Sequence, residues 1–410
     1  MMRCGLLGKN LSHSYSPMIH SLLGDYEYTL YERQEEDISA LLREEDITGL
    51  NVTIPYKKTV IPYLDRLSPE AEKIQSVNTV VRLPDSTLFG DTTDVYGFTA
   101  TLRRYEVDVK NKKVLVLGSG GAGAAVGAAL DALGGEYTVI SRKGEHNYGN
   151  MSLDAEIIIN ATPVGMYPDT EPAPVDLSAF PRCEWVLDLI YNPARTTLLC
   201  QAESLGMKNA NGLYMLAAQA KRSSELFTSS ALSDSIVDYV CRAVSLRNEN
   251  IVLIGMPGCG KSSVGKALSD LSSRELIDSD EEIQKITGMS PEEIITSKGE
   301  EEFRHVEIEV LRRIGMLSGK IISTGGGAVT MEENYLSLHR NGYIVWLRRP
   351  VSLLSREGRP LSIGNLEELY RKRERMYQRF RDAEVSNTSV PGEAAEEILR
   401  IFMQNLLFNL

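Results

Sequence analysis

The stretch VLIGMPGCGKSS, at positions 252–263, constrains the fold of this chain more than any other feature. An apolar run enters the pattern GxxxxGKS, and a helical pattern follows at once. Glycines in such a turn let backbone N–H groups converge on anionic oxygens, Lys261 adds a positive charge, and Ser262 offers an oxygen to Mg²⁺. A structural glycine turn is the alternative, but the strand before it and the helix after it favour a phosphate-binding loop.

Similar units recur along the chain. β-Branched runs without alternation are typical of strands that are covered on both faces, so we expect an α/β fold with parallel sheets. A short polar stretch at 245–251 is where we place the boundary between two halves. The apolar runs are KVLVLGSGG (113–121), EIIINAT (156–162), EWVLDLIY (184–191), NIVLIG (250–255), KIISTGGG (320–327) and YIVWLR (343–348).

Composition restricts the class of protein. A chain of 410 residues is long enough for about two or three domains. The formal net charge of −12 argues against general nucleic-acid binding, and no apolar stretch approaches the ~20 residues of a membrane span. The five cysteines form no CxxC pair, which is typical of free thiols in a reducing compartment. We therefore expect a cytoplasmic protein with small-molecule partners and neither nucleic-acid nor membrane partners; the oligomeric state is left open.

Several polar residues follow the phosphate loop. Asp278 and Asp280, in ELIDSDEEI, are two residues apart, so both would project to one side of an extended backbone; an N-cap is the alternative. Arg304, in GEEEFR, lies on a predicted helix, where an ordinary surface arginine is the alternative. The turn STGGGAV (323–329) leaves backbone amides open to a small ligand. Two arginine-rich stretches, LRRPVSLLSREGRPLS and RKRERMYQRF, are either solvated faces or cations placed over a transferring phosphoryl group.

These motifs, in this order, resemble shikimate kinase over essentially all of 250–410. The resemblance implies a five-stranded parallel P-loop domain that uses ATP and Mg²⁺, with Lys261 at the phosphates and the metal at Ser262 and Asp278. Asp280 would orient the attacking hydroxyl and accept its proton. The loop between Arg356 and Arg359 is several residues shorter than the family lid. The implied ATP contacts are Gly258, Cys259, Gly260, Lys261, Ser262, Ser263, Arg356 and Arg359, and the implied shikimate contacts are Asp280, Arg304, Gly325, Gly326, Gly327 and Arg373.

A second glycine turn lies between a strand and a helix in VLVLGSGGAGAA, the pattern of a dinucleotide-binding loop. NAD enzymes place an acidic residue about 20 residues further on, where it binds the ribose 2′-hydroxyl. Here YTVISRKGE supplies Ser141, Arg142 and Lys143 instead. Because Arg142 can pair with a 2′-phosphate that an acid would repel, we expect NADP(H). A surface arginine just beyond a strand is the alternative.

Four motifs precede this turn: LSHSYSPMIH, GLNVTIPYKK, SVNTV and GDTTDVYGF. In the second, a predicted strand stops at Pro55 and presents Lys57, for which a solvated lysine is the alternative. In the last, Asp94 ends a polar turn before the predicted helix GFTATLRRY, and an N-cap is the alternative.

The four motifs and the turn after them resemble shikimate dehydrogenase over about 1–245, with INATPVGM, DLIYNPARTTLL and NGLYMLAAQA included. The resemblance implies an α/β substrate lobe at 1–98, a Rossmann NADP-binding lobe at 99–214, and helices at about 215–245 that return to the first lobe. A linker at 245–250 would lead to the kinase-like domain at 251–410. Thr92, Ser141 and Lys143 replace the usual Asn, Asn and Thr. Among the implied cofactor contacts, Thr162 and Met215 would flank the nicotinamide. The implied substrate contacts are Ser14, Ser16, Thr53, Asn78, Asp94, Tyr191 and Gln219, and the implied cofactor contacts are Gly118, Gly120, Gly121, Ser141, Arg142, Lys143, Thr162, Gly212 and Met215.

Lys57 and Asp94 carry the chemistry that this resemblance implies. When hydride reaches a ketone carbon, negative charge develops on oxygen, and a protonated lysine stabilises that charge and supplies the proton. The two halves together predict reduction of 3-dehydroshikimate to shikimate with NADPH, then phosphorylation of its 3-hydroxyl by ATP. Two alternatives stay open: an active dehydrogenase with a weak or regulatory kinase-like domain, and a non-catalytic scaffold that responds to nucleotides.

The residues that follow the second Rossmann strand generate the first prediction. A charge-assisted hydrogen bond to the 2′-phosphate contributes ~1.5–3 kcal/mol. The kcat/KM for reduction should therefore be about 10- to 100-fold higher with NADPH than with NADH. Steady-state kinetics with each cofactor measure this ratio, and a ratio near one, or one that favours NADH, would contradict the role assigned to Arg142.

Overall fold

Three β-sheets organise the part of the chain that the structure, a computed structural model, describes: residues 2–11, 14–354 and 366–408. The chain divides into two units, residues 1–191 with 196–244 and residues 192–195 with 245–410. The first unit contains two of the sheets and the second unit contains the third. The predicted α/β class is confirmed. No helix within these described ranges is long and apolar enough to cross a membrane.

The first lobe carries a mixed six-stranded sheet. It is formed by β1 (Arg3–Gly8), α1 (Ser16–Leu23), β2 (Glu27–Glu32), α2 (Ile38–Leu42), β3 (Ile47–Val52), β4 (Arg66–Leu67), α3 (Pro69–Ile74), β5 (Thr79–Arg82) and β6 (Leu88–Asp91). The strand order is β2-β1-β3-β5-β6-β4, with β1 parallel to β2 and β3 and with β5 antiparallel to β3 and β6. The strand predicted to stop at Pro55 ends three residues earlier, because the backbone enters a turn after Thr53 that carries Lys57.

The second lobe carries a five-stranded, fully parallel sheet, as the Rossmann prediction requires. It is formed by α4 (Thr93–Arg104), β7 (Lys113–Leu117), α5 (Gly121–Leu133), β8 (Glu136–Ile140), β9 (Ile157–Asn160), β10 (Trp185–Asp188), α6 (Thr197–Ser204) and β11 (Lys208–Ala210). The strand order is β11-β10-β9-β7-β8. Helix α5 ends at Gly134, whose φ of 72° suits glycine at a helix C-terminus.

Two further helices follow, α7 (Leu213–Thr228) and α8 (Ser235–Asn248). Helix α7 packs against α4 and also against α1, β3 and β5 of the first lobe, so it returns to that lobe. A Cβ on Gly49 of β3 would clash with the Phe227 ring, which shows how closely α7 lies on that sheet. The predicted linker at 245–250 is not an irregular segment, because α8 continues to Asn248 and the next strand begins at Asn250.

The second unit carries the predicted five-stranded parallel sheet. Its elements are β12 (Asn250–Ile254), α9 (Lys261–Ser272), β13 (Leu276–Asp278), α10 (Ser279–Thr287), α11 (Pro291–Lys298), α12 (Glu300–Gly315), β14 (Ile321–Ser323), α13 (Glu333–His339), β15 (Gly342–Arg348), α14 (Leu366–Phe380), β16 (Ala383–Ser386) and α15 (Pro391–Phe408). The strand order is β13-β14-β12-β15-β16, and every residue of the central strand β12 is buried. The phosphate loop therefore begins at the carboxyl end of the central strand.

Close packing of α5 on β7 and β9 generates the second prediction. A Cβ on Gly123 would clash with the carbonyl oxygen of Gly118, and backbone cannot move away as a flexible side chain can. Gly123→Ala should therefore destabilise the second lobe by about 1–3 kcal/mol, the usual cost of overpacking. Hydrogen exchange at the amides of β7 and β9 measures the change locally.

Gly120→Ala is the matched control, because a Cβ there meets no atom within 4 Å and Gly120 has an ordinary φ of −76°. Its expected cost is below ~1 kcal/mol, the size of a lost N-cap preference. Equal acceleration of exchange in the two variants would contradict the packing argument.

Candidate active sites

The first site is built around an ion pair between Lys57 and Asp94. The Lys57 Nζ lies 2.5 Å from the Asp94 Oδ2, and the two side chains are only 19% and 12% exposed. Lys57 is therefore not a freely solvated lysine. Asp94 is not the N-cap of α4 either, since the cap residue is Thr92 and the helix begins at Thr93, four residues before the predicted start. The first helical turn instead aims the Asp94 carboxylate at Lys57.

Asn78 and Gln219 complete this constellation. The Asn78 Nδ2 donates to the Asp94 Oδ1 at 2.9 Å and to the Gln219 Oε1 at 3.2 Å. The Asn78 Oδ1 accepts from the backbone N–H of Thr93 at 2.7 Å, which fixes the orientation of the amide. One oxygen of Asp94 is thus committed to Lys57 and the other to Asn78, so the predicted polar contacts of the substrate ring lie together.

A buried hydroxyl cluster supports these amides, and the sequence analysis missed it. The Ser223 Oγ lies 2.8 Å from the Thr79 Oγ1 and 3.1 Å from the Thr93 Oγ1, and it accepts from the Asn51 Nδ2 at 2.8 Å. The Thr93 Oγ1 also donates to the Gln219 Oε1 at 3.3 Å. Thr79 and Thr93 stand inside the quoted motifs SVNTV and GDTTD, but no sequence pattern marked Ser223.

Ser14, Ser16, Tyr191 and Thr53 lie at the ends of neighbouring elements of the first unit. The Ser16 N–H donates to the Ser14 Oγ at 3.2 Å, which holds the two serines together at the start of α1. The rings of Tyr15 and Tyr191 are 5.4 Å apart. Burial raises the pKa of Tyr191 to about 12, so this phenol stays neutral and able to donate a hydrogen bond. Thr53, at the end of β3, is half-buried, and its N–H donates to the Leu7 carbonyl at 2.9 Å.

The dinucleotide turn lies against this constellation. Gly118 has a φ of +109°, and a Cβ there would approach the Thr162 Cγ2. A Cβ on Gly121, the first residue of α5, would lie 3.3 Å from the Ser76 Oγ and 4.0 Å from the Lys57 Cδ. The helix N-terminus, with backbone N–H groups suited to anions, is thus brought beside Lys57.

The remaining predicted cofactor residues lie in the turn after β8 and at the start of α7. Arg142 and Lys143 are exposed and Ser141 is half-buried, in the turn that follows β8. Met215, on α7, is 8% exposed. A Cβ on Gly212 would clash with the Leu189 carbonyl, so only glycine fits there.

In the second unit, a cavity of about 400 Å³ opens at the carboxyl ends of β12, β13 and β14. It brings the phosphate loop, the aspartates, the glycine turn and two arginines to one place. The predicted residues that line it are Gly258, Gly260, Lys261, Ser262, Ser263, Asp278, Asp280, Arg304, Gly325, Gly326, Gly327 and Arg373. Cys259 is fully buried in the loop. Arg356 and Arg359, together with the predicted lid, lie outside the described residues.

Lys261 and Ser262 occupy the first turn of α9. The Lys261 Nζ donates to the carbonyls of Gly255 at 2.8 Å and Met256 at 3.2 Å, so the ammonium is held inside the loop. The Ser262 Oγ donates to the Asp278 Oδ2 at 3.0 Å. A hydroxyl and a carboxylate are oxygen ligands that Mg²⁺ accepts, usually together with water and substrate phosphates. Among the described residues, no group of three His, Cys, Asp or Glu side chains could enclose a metal.

Asp278 and Asp280 do not lie on one side of an extended strand. Asp278 ends β13 and caps α10, since its Oδ1 accepts from the Asp280 N–H at 3.0 Å, so Asp280 lies in the first helical turn. The N-cap alternative is thus correct for Asp278, which still lines the cavity. Burial raises the pKa of Asp280, the Asp278 carboxylate raises it further, and Lys261 and Arg304 oppose the shift. A carboxylate with a raised pKa is a better proton acceptor.

Arg304 is buried, so it is not an ordinary surface arginine. Its partner Glu307 is fully buried as well. The Arg304 Nη1 donates to the Glu307 Oε2 at 2.6 Å, while the Nη2 donates to Glu300 at 3.0 Å. Burial raises the pKa of Glu307, against the opposing effect of Arg304. The sequence analysis missed Glu307, although its spacing of three residues from Arg304 on a helix is typical of an ion pair. A Cβ on Gly327 would clash with the guanidinium, so a larger residue there would displace Arg304 from this position.

Arg373 and Tyr377, one turn apart on α14, both bind the glycine turn. The Arg373 Nη1 donates to the Gly326 carbonyl at 3.0 Å, and the Tyr377 hydroxyl donates to it at 2.6 Å. A Cβ on Gly326 would lie 2.5 Å from the Pro257 Cδ, so the turn packs directly on the phosphate loop. Arg373 is 7% exposed and lines the cavity, as expected of a group that meets an anionic substrate there.

Fold and geometry together define a dinucleotide-dependent dehydrogenase joined to a P-loop phosphotransferase. The family model of the shikimate dehydrogenase substrate binding domain matches residues 6–80, and the model of shikimate kinase matches residues 257–402. Shikimate dehydrogenase (NADP(+)) of Clostridium beijerinckii is 36% identical over 254 residues, which cover 57% of this chain and 94% of that protein. That of Pyrococcus abyssi is 38% identical over 249 residues, 55% of this chain and 91% of the relative.

Solved structures give the same result. A chorismate mutase/shikimate 5-dehydrogenase fusion protein from Clostridium acetobutylicum is 34% identical with a TM-score of 0.57, over 60% of this chain and 97% of that one. Shikimate 5-dehydrogenase from Thermus thermophilus, in complex with NADP(H) and shikimate, is 32% identical with a TM-score of 0.53, over 59% and 99%. The chain belongs to the shikimate dehydrogenase family and contains, in addition, a shikimate kinase domain.

The two carboxylates that bind Arg304 generate the third prediction. Glu307 is buried, whereas the Glu300 side chain is 54% exposed. Glu307→Ala leaves a buried guanidinium without its main partner and should lower the stability of the second unit by about 3–5 kcal/mol. Glu300→Ala, the matched control, should cost less than ~1 kcal/mol. Hydrogen exchange in α12 measures both, and equal effects would contradict the assignment of Glu307 as the main partner.

Proposed function

We propose that this chain catalyses two consecutive reactions: NADPH-dependent reduction of 3-dehydroshikimate to shikimate, and ATP-dependent phosphorylation of shikimate to shikimate 3-phosphate. The observation that supports the proposal most is that charged groups suited to each reaction lie together in each unit, Lys57 with Asp94 in the first and Asp280 with Lys261 in the second. The names of the dehydrogenase relatives include NADP(+), in line with Arg142 at the expected end of β8. The product of the first reaction is the acceptor of the second.

For the reduction, Lys57 is the proton donor and Asp94 positions it. NADPH, when bound, supplies the hydride. The ion pair of 2.5 Å holds the ammonium where oxyanion charge develops, so no reorganisation is needed as the reaction proceeds. Asn78, Gln219 and Thr53 would hold the ring hydroxyls, while the hydroxyls of Ser14 and Ser16 would bind the carboxylate.

For the phosphorylation, Asp280 would orient the 3-hydroxyl and accept its proton, which its raised pKa favours. ATP, when bound with Mg²⁺, supplies the phosphoryl group. Ser262 and Asp278 would hold the metal, and Lys261 would exchange the loop carbonyls of Gly255 and Met256 for phosphate oxygens. Arg304 and Arg373 would bind the substrate, the latter at its carboxylate.

Two assays test the proposal directly. The first measures NADPH oxidation with 3-dehydroshikimate, and the second is a single-turnover reaction with ATP and shikimate. Shikimate 3-phosphate formed in the second assay excludes the alternative of a regulatory kinase-like domain. Absence of both reactions would favour the non-catalytic scaffold and contradict the proposal.

A cytoplasmic location, which the five free cysteines favour, belongs to the same proposal.

Chemical independence of the two sites generates the fourth prediction. Lys57→Met should lower kcat of reduction by roughly 10²–10⁴-fold through loss of the proton donor and leave phosphorylation unchanged. Lys261→Ala should lower kcat of phosphorylation by roughly 10²–10³-fold and leave reduction unchanged. Both activities are measured on each purified variant.

Exposed neighbours provide the matched controls. Lys58→Met and Lys266→Ala each remove a solvent-exposed lysine next to the same elements and should change neither activity. Loss of both activities in a well-folded Lys57→Met or Lys261→Ala variant would show that the sites depend on each other.

A further inference from the structure

A buried carboxylate that none of the proposed steps uses lies between the cofactor and substrate residues of the first unit. Asp188 is the last residue of β10 and is 1% exposed. Its Oδ1 accepts from the Asn160 Nδ2 at 3.0 Å and from the Ile190 N–H at 3.1 Å, and its Oδ2 accepts from the Thr196 hydroxyl at 2.7 Å. All three of these hydrogen-bond donors are uncharged groups of the protein.

One side of this carboxylate leads to the residue expected to flank the nicotinamide. The Asn160 amide, held by Asp188 through its Nδ2, presents its Oδ1 to Thr162. That oxygen accepts from the Thr162 hydroxyl at 2.6 Å and from the Thr162 N–H at 3.1 Å. The Asn160 Nδ2 also donates to the Val164 carbonyl at 3.3 Å, so the whole start of the loop after β9 depends on the orientation of this one amide.

The other side leads to the turn that carries Tyr191. The Ile190 N–H donates to Asp188, and the Ile190 carbonyl accepts from the Gly212 N–H at 3.0 Å. Gly212 begins the chain into α7, which carries Met215, the second residue expected at the nicotinamide. Asp188 therefore joins the loop after β9, the turn at Ile190 and the start of α6, and through Ile190 it also reaches Gly212 before α7.

We propose that Asp188 is a positioning residue for the nicotinamide end of NADPH. It holds the surrounding segments in place when its carboxylate is ionised. The proposal rests on the dehydrogenase function proposed above. A carboxylate accepts charge-assisted hydrogen bonds, which are roughly twice as strong as neutral ones. After protonation one oxygen becomes a donor, and the hold on Asn160 and on the turn at Ile190 weakens together.

Titration of this group falls in an accessible range. Burial raises the pKa of Asp188 to about 7, against the opposing hydrogen bonds from Thr196, Ile190 and Asn160. Strand β9 and the loop 161–166 carry no ionisable side chain. The surrounding segments carry five ionisable neighbours. These are Tyr191 after β10, Arg195 before Thr196, Cys200 and Glu203 on α6, and Lys208 on β11.

The raised pKa of Asp188 determines how stability and cofactor binding depend on pH. Because folding raises this pKa, the ionised carboxylate lowers stability above pH 7, and the protein gains stability as pH falls and the group takes up a proton. Cofactor positioning changes in the opposite sense. The KM for NADPH should therefore rise as pH falls through about 7, while the fold itself is not weakened by this group.

Asp188→Asn tests the proposal, since it keeps the shape and removes the charge. At pH 8 we expect a KM for NADPH about 10-fold above wild type, from weakened charge-assisted hydrogen bonds, with kcat at saturating NADPH within about 3-fold. Between pH 8 and pH 6 the wild-type KM should rise toward that of the variant, whose own KM changes only through titration of the cofactor phosphate. The ratio of the two KM values removes that shared contribution.

A second variant keeps the carboxylate and changes its titration; it also removes the side-chain cap of α6, because the Thr196 Oγ1 accepts from the Leu199 N–H at 3.3 Å. Thr196→Val removes a hydrogen bond that stabilises the ionised form, so the midpoint of the pH dependence should move to higher pH. Thr196→Ser, which retains the hydroxyl, should leave the midpoint in place. A purely structural role for Asp188 would change stability without moving this midpoint.

Three results would overturn the proposal: an unchanged KM in Asp188→Asn at pH 8, the same pH dependence in that variant as in wild type, or a midpoint unmoved by Thr196→Val. Phosphorylation of shikimate by each variant serves as the internal control of protein concentration, and hydrogen exchange at the amides of β9 and β10 serves as the control of folding in the first unit. If the wild-type chain does not reduce 3-dehydroshikimate at any pH, the proposed function fails. Fluorescence titration of NADPH binding, with the same variants and pH values, then tests Asp188 independently.

Discussion

Both units depend on one constraint: parallel strands of a sheet end at the same edge, so the loops that follow them converge there. In the second lobe, the turns after β7, β9 and β10 bring Gly118, Thr162 and Asp188 together. In the second unit, the segments after β12, β13 and β14 bring together the phosphate loop, Asp280 and the glycine turn. Glycine at Gly118 and Gly326 allows backbone to approach where any side chain would clash. The sheets therefore bring together polar residues that are far apart in the sequence.

Each edge also holds a cation against a buried or half-buried carboxylate before substrate arrives. Lys57 is paired with Asp94, and Arg304 with Glu307. Removal of such charges from water costs free energy, and their mutual attraction offsets that cost only when the geometry is good. The benefit is a fixed orientation of the ammonium and the guanidinium. In the proposed reactions, Lys57 would face the charge that develops on oxygen, and Arg304 would face the bound substrate.

The sequence was sufficient for those features whose cause is local. Apolar runs and glycine turns predicted the two strand–turn–helix units at Gly118 and at Gly255, and the confirmed α/β class agrees with them. Helix starts were misplaced at Asp94 and Asp280, because caps such as Asp278 depend on where one side chain points. Long-range partners outside the family motifs were missed. Ser223 meets Asn51 across 172 positions of the chain, and Asp188 meets Asn160 across 28, so no local pattern could reveal either pair.

The central claim is that one chain offers two separate sites to the same small acid. The most direct measurement is a crystal structure of the protein soaked with shikimate. The account predicts one molecule bound between Lys57, Asn78 and Asp94, and a second bound among Asp280, Arg304 and Arg373. Shikimate bound at neither place, or at a single place remote from both Lys57 and Asp280, would contradict it.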